Sequence, residues 1–132
     1  MKSFYLAFLL LFTASLTVAQ QTYYVSTTGL NDAGRDGRSP ATAWRTLVYA
    51  TGRIPAGAAT INMGAGEFAE TGTSLLRADW TLRGAGASAT KITNAASFVA
   101  TGDNWCDYME QRSNYLIRLS SNVVVRDLEV SS

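Results

Sequence analysis

Asn122-Val-Val-Val-Arg-Asp-Leu-Glu-Val-Ser131 is the stretch that decides the reading of this chain. Apolar residues alternate from Val123 to Val125, the alternation breaks once at Arg126-Asp127, and it resumes from Leu128 to Val130. A period of two marks a strand with one buried face. The break predicts two short strands joined by a tight bend. Asp127 sits at the bend, where Asp tolerates the left-handed backbone. Val123, Val125, Leu128 and Val130 then point inward, and Val124, Arg126 and Glu129 point outward.

Working outward, the same grammar recurs. Short apolar runs are separated by Gly or small polar residues, and no long stretch has a 3.6-residue period, which argues for an all-β architecture. The predicted strands are Tyr23–Ser26, Thr60–Met63, Ser74–Leu76, Thr81–Arg83, Lys91–Thr93, Leu116–Leu119 and Val123–Val130. Ile61, Leu82 and Val124 are spaced at 21 and 42 residues, which suggests a repeat near 21. One helix interrupts the pattern. Ser39 suits an N-cap and Pro40 the first helical position; Trp44, Leu47, Val48 and Thr51 share one face, and Gly52 fits the stop. These residues predict a helix near 42–51.

Asn122–Ser131 resembles the recurring coil of right-handed parallel β-helix proteins, the pectate lyase-like superfamily. Tyr23-Tyr-Val-Ser-Thr-Thr-Gly29 followed by Ser39-Pro-Ala-Thr-Ala-Trp-Arg-Thr-Leu47 resembles the start of secreted bacterial members. Pro55–Phe68 is similar to their first coil, and Trp80–Gly86 with Thr90–Ile92 to their second. The resemblance covers residues 23–131. It implies an all-β fold, a right-handed parallel β-helix (solenoid), with one N-terminal capping α-helix laying Trp44, Leu47 and Val48 over the end of the tube. It also implies that about three coils are present, so that the chain is the N-terminal part of a longer protein, truncated at its C-terminus, with an exposed edge prone to self-association.

Composition narrows the chemistry. The chain has 132 residues, no His and one Cys, Cys106. A Ser-His-Asp triad, a His-ligated or four-cysteine zinc site and an internal disulfide are therefore excluded. Met1-Lys2, the apolar run Phe4–Phe12 and small residues at Thr17 and Ala19 form a signal-peptide pattern over residues 1–19. Residues 20–132 form the working part, and the run is too short for a membrane span. The expected location is secreted, extracellular or at the cell surface. Without Lys2, ten basic residues balance ten acidic ones, and nine of the ten bases are Arg. That balance gives no electrostatic footprint for nucleic acid.

Three groups of residues carry candidate chemistry. The loop Asn31-Asp-Ala-Gly-Arg-Asp-Gly37 places Asp32 and Asp36 where a cation taking oxygen ligands, Ca²⁺, would bind; the other reading is a surface turn. The segment Asn94–Asn114 carries Trp105, Tyr108, Asp107 and Arg112, with Phe98, Asp103 and Glu110. Aromatic faces stack on sugar C–H groups and carboxylates or Arg pair with hydroxyls, so this is a carbohydrate-contacting loop or, on the other reading, a satellite core. Arg83, Arg118 and Arg126 fall at or near outward strand positions. Glu67 and Glu70 flank a turn, and neither they nor Asp127 and Glu129 make a convincing glycosidase pair. The resemblance implies recognition or cleavage of a polysaccharide, with a lyase using Ca²⁺ and a basic residue from coils outside this chain. A non-catalytic carbohydrate-binding or adhesin protein is the alternative.

Overall fold

The computed structural model describes residues 19–95 and 116–131. Nine strands run through them: β1 Gln21–Val25, β2 Ala59–Met63, β3 Gly66–Glu70, β4 Ser74–Leu76, β5 Trp80–Arg83, β6 Thr90–Asn94, β7 Ile117–Leu119, β8 Val124–Arg126 and β9 Glu129–Ser131. One α-helix, α1, spans Leu47–Arg53. The strands are short because each apolar run places only one to three side chains inward before a corner interrupts it. In β2, Ala59, Ile61 and Met63 are buried while Thr60 and Asn62 are half-buried. Asp79, Asn122 and Asp127 adopt positive φ at 63°, 54° and 59°, so three corners use the residue types that tolerate a left-handed backbone.

The strands form three parallel sheets, ordered β1-β2-β5-β8, β3-β6-β9 and β4-β7. Parallel pairing stacks like side chains in rows. Tyr23, Ile61, Leu82 and Val125 share one inward row, and Phe68, Ile92 and Val130 another. Tyr23, Ile61, Leu82, Phe68, Ile92, Leu76 and Trp80 join one core, against which Val123 and Leu128 pack. Full burial of a side chain such as Ile61 or Leu82 is worth about 1.5–3 kcal/mol. The Trp80 indole donates to the Gly57 carbonyl at 2.8 Å, so the largest buried side chain leaves no orphaned donor.

The expected β-helix is not what these residues form. They make three separate small sheets of four, three and two strands, and no closed tube or solenoid is present among them. Strands of three to five residues end at corners, so each ladder stays within its own sheet and none runs on into the next. Among the described residues the regular structure is mostly strand, with one α-helix. The spacing of 21 residues is real for Ile61 and Leu82, which pair, but Leu82 pairs with Val125 and not Val124. β3 is a strand that the sequence reading did not draw.

The helix also differs from its expected bounds. Ser39 does cap, but it caps a 3-10 turn, Pro40–Thr42, with Thr42 completing a capping box. Trp44 lies outside any helix. Its N–H donates to the Tyr24 carbonyl at 3.1 Å and its carbonyl accepts from Ser26 at 2.8 Å, which commits this residue to an extended bridge with β1. Helix formation therefore restarts at Thr46, whose side chain accepts from the Tyr49 N–H. Gly52 lies inside α1 and Ile54 is the C-cap.

Gly84 marks where successive passages of chain touch. Its N–H donates to the Arg126 carbonyl at 3.0 Å, and a Cβ there would collide with the Asp127 carbonyl and meet the Leu128 Cβ at 2.7 Å. Gly84→Ala should therefore destabilise the chain by about 2–3 kcal/mol. Urea unfolding checks this; a loss under 0.5 kcal/mol would mean the corner has room.

Candidate functional site: the outer face of the four-stranded sheet

Outward side chains of a parallel sheet form rows as regular as the inward ones. On the four-stranded sheet one row is Thr22, Thr60, Thr81 and Val124, and the next is Tyr24, Asn62, Arg83 and Arg126. Neighbouring strands lie about 4.8 Å apart, so each four-residue row spans roughly 14 Å. The second row runs from an aromatic ring through an amide to two guanidinium groups. Neither the Tyr24 hydroxyl nor the Asn62 amide is taken up by another described residue. Beside them lies a groove of about 390 Å³, lined by Tyr24, Ser26, Thr28, Pro40, Asn62 and Met63 among others.

Asp127 organises the other end of the row. Its left-handed backbone brings the carboxylate between two bases: Oδ2 is 3.6 Å from Arg83 Nε and 3.5 Å from Arg126 Nε. One carboxylate against two guanidinium groups leaves a surplus positive charge. All three side chains are about half exposed, so these bridges contribute little to stability and a ligand carboxylate can displace Asp127 at low cost.

The outer face of the three-stranded sheet is different in kind. Glu67, Lys91 and Glu129 form one row, with Lys91 Nζ 3.9 Å from Glu129 Oε1 and Thr93 Oγ1 donating to Glu67 Oε1 at 3.2 Å. Two carboxylates against one ammonium leave this row with a surplus negative charge. A smaller hollow of about 170 Å³ lies between Thr27, Arg45, Thr46, Glu67, Phe68 and Ala69.

In the loop expected to offer Ca²⁺ ligands, one oxygen of each carboxylate accepts hydrogen bonds from nearby residues. Asp32 Oδ1 accepts from the Gly34 N–H at 2.9 Å. Asp36 Oδ1 accepts from the Thr42 hydroxyl at 2.6 Å and from the Arg38 N–H at 3.0 Å, and these bonds, the Thr42 one foremost, hold its carboxyl below the usual carboxylate range. Asn31 ties the loop to the start of α1, accepting from the Arg45 and Thr46 N–H groups. No group of three or more His, Cys, Asp or Glu that could hold a metal ion occurs among the described residues. Trp105, Tyr108, Asp107 and Arg112, and Cys106 with them, lie outside the described residues. Arg118 is exposed on β7, next to Leu75 of β4.

Sequence reasoning missed two things. Tyr24 and Asn62 carry no local signal, because only strand register aligns them with Arg83 and Arg126. Glu70 did carry one: it is two residues from Phe68 and shares its inward face. Glu70 is completely buried, its Oε1 accepting from the Leu47 N–H at 2.7 Å and its Oε2 from the Val48 N–H at 2.9 Å. It caps α1, and it lies with Glu67 on one strand, so the two do not flank a turn between them. Burial raises its carboxyl above the usual range, outweighing the two amide bonds that pull it down.

No family model, curated protein or solved structure matches the chain. No helix among the described residues is long and apolar enough to cross a membrane, and a single Cys leaves no internal disulfide.

Proposed function

We propose that this chain is a secreted protein that binds an acidic polysaccharide along the row Tyr24–Asn62–Arg83–Arg126. The observation that carries this reading is the pair of exposed guanidinium groups sharing one carboxylate, in line with an unengaged amide and phenol. Uronate carboxylates would exchange with Asp127 against Arg83 and Arg126, bidentate where the fork allows. Sugar hydroxyls would pair with Asn62 and Tyr24, and a sugar face would lie on the Tyr24 ring. A row of roughly 14 Å presents several contacts to an extended chain at a regular spacing. Secretion rests on the leader-like residues 1–19. Trp105, Tyr108, Asp107 and Arg112 are the sequence-based candidates for further sugar contacts.

Among the described residues, the carboxylates weighed as a glycosidase pair each have a partner, which favours binding over cleavage. Glu70 caps a helix, Asp127 holds two Arg, and Glu129 faces Lys91. Calorimetric titration with a uronate oligosaccharide tests the reading. Arg83→Ala and Arg126→Ala should each weaken binding about tenfold with melting unchanged, since both side chains are exposed. Rising salt should weaken it too. Equal affinity for a neutral oligosaccharide, or Arg variants that bind as well as wild type, would refute the assignment.

A further inference from the structure

Past Tyr24 and Asn62 the outward positions of the chain are Ser26 and Gly64, where the side chains shrink to a hydroxymethyl group and a hydrogen. The small residues leave room for the groove of about 390 Å³ beside Tyr24, which Pro40 of the 3-10 turn also lines. That volume falls within the roughly 300–1,000 Å³ of sites that enclose small ligands. Its floor is fixed backbone: the Gly64 N–H donates to the Val25 carbonyl at 2.9 Å, and the Ser26 N–H to the Trp44 carbonyl at 2.8 Å.

The chemistry of the groove differs from that of the Arg pair. No Asp, Glu, Lys or Arg is among its described lining residues, which present hydroxyl, amide and phenol groups beside the Pro40 ring. The Ser26 and Thr28 hydroxyls lie 3.0 Å apart, and Ser26 Oγ also accepts from the Thr28 N–H at 3.3 Å. Whichever hydroxyl donates to the other, the second keeps its proton for a ligand. A carboxylate placed here would lose water without meeting a cation, whereas a neutral sugar finds donors, acceptors and apolar faces together.

Arg83 lies two strands from Tyr24, roughly 10 Å at the usual strand spacing. One short oligosaccharide therefore meets both the groove and the Arg pair. We infer that the groove holds a neutral sugar of the same chain whose uronate meets Arg83 and Arg126. The ligand is then a mixed polysaccharide in which uncharged residues adjoin uronates, and not a polymer of uronates alone. This inference rests on the polysaccharide reading of the row and adds which class of sugar stands at each end of it.

Gly64 offers the test. A Cβ there meets the Val25 carbonyl at 3.7 Å and Ser26 Oγ at 3.9 Å, ordinary contact distances, so Gly64→Leu fills the groove without a collision at its first atom. Calorimetric titration compares two probes of equal length: oligogalacturonate, in which every residue is charged, and an oligosaccharide alternating glucuronate with neutral N-acetylhexosamine. The wild type should bind the alternating probe about tenfold tighter, against its lower charge. G64L should bind both probes alike, at the wild type's affinity for oligogalacturonate. Thr28→Phe fills the groove from an exposed position and should act the same way, which keeps the proposal testable if G64L folds poorly. Equal wild-type affinity for the two probes, or groove-filling variants that keep the preference, would overturn the groove assignment, while weaker binding by Arg83→Ala would still uphold the row. Failure of the row reading looks different: neither probe binds, or Arg83→Ala changes nothing, and the groove assignment falls with it.

Discussion

Glu70→Ala is expected to cost about 3–5 kcal/mol of folding stability, a large part of what a small domain has. The carboxylate is fully buried and is the acceptor for the first two N–H groups of α1. Removing it orphans one buried and one part-buried donor, at about 1–3 kcal/mol each with the buried one at the upper end, and leaves a cavity between β3 and the helix. Glu70→Gln keeps one acceptor and should cost less, about 1–2 kcal/mol at neutral pH. The two variants also differ in pH dependence. Burial raises the folded-state pKa of Glu70 above its ordinary value of 4.5. A carboxyl with a raised folded pKa contributes stability that is complete below its unfolded pKa and is lost as pH rises through the folded one. The wild type should therefore lose stability from this group as pH rises above about 4.5, and Glu70→Gln should flatten that slope. Urea unfolding at several pH values checks both effects. An unchanged slope in Glu70→Gln would show that another group sets it.

Trp44→Ala should be of similar size, about 3–5 kcal/mol. The ring stacks on Tyr23 with centroids 5.8 Å apart, and its edge meets Tyr49 of α1 at 6.2 Å. Its indole N–H donates to the Arg35 carbonyl at 3.0 Å, fastening the 31–37 loop. One side chain thus joins β1, the loop and the helix, and it is what shuts the β1 end. Trp44→Phe retains a ring but drops the indole bond, so it should lose only about 1–2 kcal/mol. A Phe variant as damaged as the Ala variant would mean that ring stacking is not what holds this end.

The strands were legible in the sequence because each is a purely local signal. Val123–Val130 shows its own alternation and its own break, and the structure bends at Asp127 with φ 59°. The expected strands fall within a residue or two of the observed ones, except for the missed β3. Assembly was not legible. How strands join into sheets depends on backbone hydrogen bonds between residues 21 to 43 positions apart, such as Thr60 with Thr81 or Thr81 with Val124. A repeat in spacing suggested a closed tube, and the ladders instead stop within three sheets. The helix failed for a different reason. Trp44 has the right spacing for a helical face, but its backbone is taken by β1, and tertiary pairing overrides local preference. The site was half visible. Arg83 and Arg126 could be placed outward from alternation alone, whereas Tyr24 and Asn62 become their neighbours only through register.

The central claim is that the Tyr24–Asn62–Arg83–Arg126 row takes an acidic polysaccharide. It is tested most directly by titrating the isotopically labelled chain with a uronate oligosaccharide and following backbone amide and Arg side-chain resonances. The account predicts that the largest shifts fall on Tyr24, Asn62, Arg83 and Arg126 and on the Arg83 and Arg126 guanidinium signals, fade with added salt, and do not occur with the neutral oligosaccharide. No shifts at these four residues, or shifts centred on the Glu67–Lys91–Glu129 row, would contradict it.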